Sequence, residues 1–213
     1  RPLWRRAIPA MLAAIVAGGL AGIAVWYLKP SPPLTVTRLQ FTLPEAQRFG
    51  GIDRRMIDIS PDGTQIVFVS GGRLYLRAMA DHDAKEIQGT DGYQAVKNPV
   101  FSPDGRSVAF HAASDQTLKK IAVTGGAAVT ICPSDLPFGM SWGPDGIVFA
   151  QRSKGISRVS ADGGTPDVLV DPKDGEVSES PQMLPGGQYV LFTLAIGTGV
   201  NRWDSAHAVV QSI

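Results

Sequence analysis

Ser60-Pro61-Asp62-Gly63 returns as Ser102-Pro103-Asp104-Gly105, then as Gly143-Pro144-Asp145-Gly146, and in altered form as Leu184-Pro185-Gly186-Gly187. The steps from Asp62 to Asp104, Asp104 to Asp145 and Asp145 to Gly186 are 42, 41 and 41 residues. A period of about 40–45 residues in a strand-rich chain is that of a β-propeller blade. The tetrad itself is turn chemistry. Proline presets φ near about −65°, aspartate tolerates the next position, and glycine accepts the left-handed conformation that closes the turn. A three-residue hairpin loop with a glycine bulge is the expected form. Asp62, Asp104 and Asp145 fall one per repeat, so they do not converge on one ion, and no metal site is expected.

Around each turn the same order of segments recurs. Met56–Ser60, Gln65–Val69, Arg73–Met79 and a short strand near Lys85–Gln88 form the first unit. The second unit has Val100-Phe101, Val108–His111, Leu118–Val123 and Ala128–Ile131. The third has Ser141-Trp142, Ile147–Ala150, Ile156–Ser160 and Asp167–Val170, and the fourth Gln182–Leu184, Tyr189–Thr193 and Ala208–Ser212. Runs such as Ile66-Val67-Phe68-Val69 are apolar on both faces, as stacked blades require. The fold class is therefore all-β: a propeller of about four blades over residues 56–213, incomplete at its C-terminal end and expected to be part of a larger ring.

The segment before the blades has a different character. Ala7–Leu28 is 22 residues without a charge, long enough as a helix to span about 33 Å. Trp4 stands at one end and Trp26-Tyr27 at the other, where interfacial aromatics belong. Arg1, Arg5 and Arg6 precede the stretch and Lys29 follows it, so the positive-inside rule puts the N-terminus in the cytoplasm. A cleaved signal peptide would have a shorter apolar core and small residues at its end. The expected organisation is a cytoplasmic juxtamembrane tail (1–6), a transmembrane helix (7–28), and a Pro-rich connector with a first strand (29–55). The propeller then lies on the side of the membrane away from the cytoplasm. Gly18 and Gly22, with small residues around them, make a small-xxx-small face that suits a helix–helix homodimer.

Formal net charge is +1 and hydrophobic content 44%, but residues 30–213 hold 16 basic against 19 acidic side chains. Such a head lacks the basic footprint of a nucleic-acid binder, so no nucleic-acid partner is expected. The single cysteine, Cys132, has no disulfide partner and reads as a buried small hydrophobe. Gly139-Met140-Ser141-Trp142-Gly143 matches G-x-S-x-G. That pattern carries chemistry only on a sharp strand-to-helix turn, and here Ser141 falls on an inner strand followed by a Pro-Asp-Gly turn. His82, His111 and His207 have no zinc spacing, and phosphate-binding and kinase motifs are absent from these residues. No catalytic residue and no cofactor are assigned to this chain. Binding is expected instead at the propeller mouth, where the outer-to-inner-strand loops converge. Those loops carry Tyr93, Lys97, Asp135, Phe138, Glu176 and Glu179, and exposed aromatics beside charges suit a protein or peptide ligand.

The repeat resembles the WD40-like PD40 family, the blades of the TolB-type periplasmic propeller. The fuller arrangement is similar to the membrane-anchored propellers that follow the kinase domain in bacterial receptor-type serine/threonine protein kinases. The residues that carry this are Trp4-Arg5-Arg6, Phe41-Thr42-Leu43-Pro44-Glu45, Ile59-Ser60-Pro61-Asp62-Gly63, Leu74-Tyr75-Leu76-Arg77, Leu118-Lys119-Lys120-Ile121, Thr124-Gly125-Gly126 and Leu184-Pro185-Gly186-Gly187. The resemblance covers nearly the whole chain. It implies an extracytoplasmic sensor or interaction propeller, outside a bacterial inner membrane in the periplasm, belonging to a kinase whose catalytic domain, with its ATP and Mg, lies N-terminal to these residues. Two other arrangements share the features: the propeller of a membrane-anchored prolyl-oligopeptidase-type peptidase, and a TolB-like periplasmic binding or scaffold protein.

Overall fold

The computed structural model describes residues 54–213, apart from 94, 153 and 198, together with Met11, residues 17–19 and Gly22. The chain divides into two compact units, Arg1–Thr42 and Leu43–Ile213. In the first, Met11, Ala17, Gly18, Gly19 and Gly22 are helical and exposed. A Cβ built on Gly18 or Gly22 meets nothing within 4 Å, so that face is open to close approach. The tail 1–6, the rest of the span 7–28, and residues 29–53 of the connector with its first strand lie outside the described residues. Among the described residues, no helix is long and apolar enough to cross a membrane.

The second unit is built from four antiparallel sheets, each a meander that runs from an inner to an outer strand. Blade 1 contains β1 (Ile57–Ile59), β2 (Gln65–Ser70), β3 (Arg73–Ala78) and β4 (Lys85–Glu86). Blade 2 contains β5 (Val96–Phe101), β6 (Ser107–Ala112), β7 (Thr117–Ala122) and β8 (Val129–Pro133). Blade 3 contains β9 (Met140–Gly143), β10 (Gly146–Gln151), β11 (Gly155–Val159) and β12 (Asp167–Val170). Blade 4 has β13 (Glu176–Met183), β14 (Tyr189–Ile196) and β15 (His207–Ser212), with a 3-10 helix, Val200–Ser205, between the last two.

The second strand of each blade is where both-face apolarity pays off in packing. Val67, Phe110, Phe149 and Val190 are fully buried. Val67 and Phe110 belong to a seam between blades 1 and 2 with Leu74, Val96 and Phe101. Ala109 and Phe149 join Leu118, Met140 and Ile147 between blades 2 and 3. Val148, Ile156, Val190 and Phe192 close the seam between blades 3 and 4. The core is thus three successive seams rather than one central cluster.

Two local features differ from the sequence expectation. In the first two repeats the turn is a four-residue loop, not a three-residue one: Ser60 N donates to Gln65 O at 2.9 Å and Gly63 N to Ser60 O at 2.8 Å. The cause is the side chains. Ser60 Oγ donates to Asp62 Oδ1 at 2.6 Å and accepts from Gln65 N at 2.9 Å, so the hydroxyl takes the place of a ladder bond. Ser102 and Asp104 repeat this arrangement. In the third repeat Gly143 pairs directly with Gly146, leaving only Pro144-Asp145 in the loop. The second difference is that β5 and β13 begin several residues earlier than expected. Both contain a proline, Pro99 and Pro181, and both accommodate it at a register shift, between Lys97 and Val100 and between Glu179 and Gln182. A bulge is where a strand tolerates proline.

Candidate binding mouth

Because each blade is an antiparallel meander, the start of its inner strand and its second-to-third-strand hairpin emerge at one end of the propeller. The Pro-Asp-Gly turns emerge at the other. At the first end Arg55, Lys97, Phe138 and Glu179 occupy one slot of the repeat, again 42, 41 and 41 residues apart. Backbone hydrogen bonds step from blade to blade beside this slot. Asn98 N donates to Arg55 O at 3.1 Å, and Ser180 N to Phe138 O at 2.9 Å. Asn98 Nδ2 reaches on to Pro137 O at 2.8 Å. Asn98 and Ser180 have φ of 53° and 50°, the left-handed backbone that turns each N–H toward the preceding blade.

Of the mouth residues expected from the sequence, Phe138 and Glu179 come together. Phe138 is buried in the seam between blades 3 and 4. The Arg54 guanidinium lies 4.3 Å and the Arg152 guanidinium 5.7 Å from its ring centroid, and Trp203 packs at 6.4 Å. Glu179 is half-buried. Burial raises its carboxyl above the usual value, while the charges of Arg54 and Arg202 pull it back. Glu176 lies at the rim of the neighbouring groove, its Oε2 accepting from Lys173 N at 3.2 Å. Lys97 sits across the ladder from His111. Tyr93 is placed differently. It packs 5.7 Å from Phe110 in the seam between blades 1 and 2, under Lys119 Nζ at 5.2 Å, and Lys119 is itself held by Asp115 at 2.8 Å. Asp135 pairs with Lys154 at 2.9 Å.

Arg54, Arg152, Arg202 and Trp203 complete the site and were not among the residues expected there. A signal for two of them is in the repeat. The second-to-third-strand connection is Gly71-Gly72 in blade 1 but runs over residues 197–206 in blade 4, and that insertion carries Arg202 and Trp203. Beside them a groove of about 360 Å³ is lined by Arg152, Lys173, Glu176 and Arg202 among others. A wider groove of about 680 Å³ lies at the opposite end, between the turns of blades 3 and 4, with Ser141 and Asp145 on its wall.

Ser141 stands in β9 opposite Val148, so its G-x-S-x-G surroundings are a strand and a hairpin with no nucleophile elbow. His111 is buried, with Nε2 3.1 Å from Ser134 O, and burial lowers its pKa. It serves the seam as a neutral ring. Cys132 is buried, and burial pushes its thiol up to about 11. Among the described residues no three metal-ligating side chains gather at one point.

Solved structures match this arrangement of blades. The putative TolB from Agrobacterium tumefaciens superposes with a TM-score of 0.57 at 18% identity, covering 74% of this chain and 65% of that one. The chain folds as a TolB-like β-propeller. TolB from Acinetobacter baumannii gives 0.56 at 19% identity, over 74% of this chain and 41% of that one. Hydrazine synthase from Kuenenia stuttgartiensis gives 0.58 at 14% identity, over 81% and 49%. The chain thus spans less than two thirds of the length of these solved chains. No family model and no curated protein sequence matches it.

Proposed function

We propose that the protein is an interaction propeller that receives a protein or peptide partner at its axial mouth. The observation that carries this reading is the shared slot of Arg55, Lys97, Phe138 and Glu179. The repeat keeps its turns and its seams, yet here presents a different chemistry from each blade at one geometric position. A mouth at which Arg55 is exposed, Lys97 and Glu179 are half-buried and Phe138 is buried in the seam between blades 3 and 4 offers a chemically mixed surface, which suits recognition better than catalysis. In the finer form of the proposal the propeller is the extracytoplasmic sensor of a single-pass serine/threonine kinase. The uncharged stretch 7–28 is its anchor, Gly18 and Gly22 its dimer contact, and a kinase domain with bound ATP and Mg precedes Arg1. What supports this is the residue-level resemblance across the chain and the charge asymmetry around 7–28. A TolB-like periplasmic scaffold is the second reading, favoured by the structural likeness to TolB.

The experiment that separates the two is the reading frame upstream of Arg1 together with membrane topology. The kinase reading expects V-A-I-K, H-R-D and D-F-G elements in that frame, and a reporter enzyme fused after Ile213 that is active only outside the cytoplasm. A start codon within a few residues of Arg1 overturns the kinase. A reporter active in the cytoplasm overturns both.

A further inference from the structure

The groove between blades 3 and 4 is lined by three basic side chains, Arg152, Lys173 and Arg202, against two acidic ones, Asp174 and Glu176. Arg152 extends from the β10–β11 hairpin and Arg202 from the blade 4 insertion, and both line the groove. Among the described residues neither forms an ion pair. Arg202 Nε is buried and lacks a hydrogen-bond partner, and Nη1 has only a long contact to Gly197 O at 3.5 Å. A guanidinium presents five donors in a planar fork, and leaving one buried without an acceptor is costly. Arg54 adds a further positive charge, 4.3 Å from the Phe138 ring centroid. The nearby carboxylate, Glu179, is raised by its burial and shared between Arg54 and Arg202. Glu176, on the rim, is turned to the backbone of Lys173. The missing component is an acceptor that can engage a guanidinium fork beside aromatic rings.

We infer that this groove is a carboxylate subsite. Resting on the interaction reading above, it names the chemistry of the partner: a peptide that places a carboxylate between Arg152 and Arg202, with its neighbouring side chain against Pro172 and Val177. Carboxylate oxygens match the guanidinium fork bidentately. A volume of about 360 Å³ lies at the small end of ligand pockets, enough for one or two residues of a peptide and too small for a folded surface. Pro172 and Val177 supply apolar area, and Lys173 on the rim offsets the charge of Asp174 beside it.

The test uses the full chain in detergent micelles and fluorescein-labelled peptides read by anisotropy. The probes are penta-glutamate with an amidated C-terminus, penta-alanine with a free C-terminal acid, penta-alanine amide, and inorganic phosphate as competitor. Binding of either acid-bearing peptide, with penta-alanine amide silent, is the expected result, and which of the two binds tells a side-chain carboxylate from a chain end. Arg152→Gln and Arg202→Gln should each weaken that binding by about tenfold or more, and Arg202→Lys should recover only part of the loss because it keeps charge without the fork. Arg158→Gln, on β11 away from the groove, should leave affinity unchanged, and thermal melts identify any variant that fails to fold. Phosphate displacing the peptides at equal or lower concentration overturns the carboxylate assignment. So does affinity insensitive to both glutamine variants, and so does silence of every acidic probe. If Lys97→Glu abolishes peptide binding while Arg152→Gln and Arg202→Gln do not, the subsite falls and the axial-mouth reading stands.

Discussion

At Gly139 the backbone has φ of 116°, and a Cβ built there would lie 2.8 Å from both Cα and N of Ser180 in the next blade. Neither atom can yield, since Ser180 N is itself bonded to Phe138 O. Gly139→Ala is expected to cost at least about 2 kcal/mol through strain and clash together. Gly143→Ala, where nothing lies within 4 Å, should stay within about 0.5 kcal/mol; urea midpoints of the two variants provide the comparison. The turn aspartates set a pH dependence at the same scale. Asp62 is held below the ordinary carboxylate value first by the Ser60 hydroxyl and then by the Thr64 N–H and hydroxyl. Asp104 is held down by Ser102 and then by the Arg106 N–H. A carboxyl lowered on folding contributes stability that is complete above its unfolded value of about 3.9 and is lost as pH falls through the folded one. The double variant Asp62→Asn, Asp104→Asn should therefore lose less melting temperature than the parent between about pH 5 and pH 2. Cys132, buried with its thiol raised to about 11, should resist thiol reagents at pH 8 until denaturant opens the chain, because the reactive species is the thiolate.

The element that the sequence left half-read is the inner strand. Turn tetrads and apolar second strands were legible because each rests on local rules, namely proline and glycine dihedrals and two-sided burial. The expected inner strands start at Val100 and Gln182, directly after Pro99 and Pro181, where a local rule ends a strand, but tertiary contact overrides that rule. The bulge around each proline is stabilised by the preceding blade, through Asn98 N to Arg55 O and Ser180 N to Phe138 O, and those partners are more than 40 residues away. The site was legible to the same depth. Phe138 and Glu179 follow from repeat spacing, whereas Arg54 and Arg152 are brought to the Phe138 ring by blade packing, which no local pattern encodes. Asn98→Ala tests the bulge as an element. It removes the buried Nδ2 bond to Pro137 O and places alanine at φ of 53°, for an expected loss of about 2–4 kcal/mol. Asn98→Gly keeps the backbone freedom and loses the bond, so it should fall between alanine and the parent in a urea titration.

Across the whole propeller unit, stability comes from seams between successive blades, and each inner blade is covered on both faces. Blade 4 is not. Its outer strand β15 pairs Val210 with Leu191 and Ser212 with Tyr189, and Val210 and Tyr189 stand 56% and 45% exposed. These side chains share the face turned away from the seam that holds Val190 and Phe192, since alternate residues of a strand point to opposite faces. On blades 2 and 3 the corresponding positions lie inside a seam. A propeller of this kind continues by laying another sheet on such a face, and an apolar face beside an open strand edge otherwise associates with copies of itself. Val210→Lys in residues 43–213 is expected to lower self-association in sedimentation velocity while changing folding stability by less than about 0.5 kcal/mol. A stability loss of about 1.5 kcal/mol or more would mean that Val210 is already packed within this unit, and the outer face of blade 4 would then be a finished surface rather than a place for the next blade.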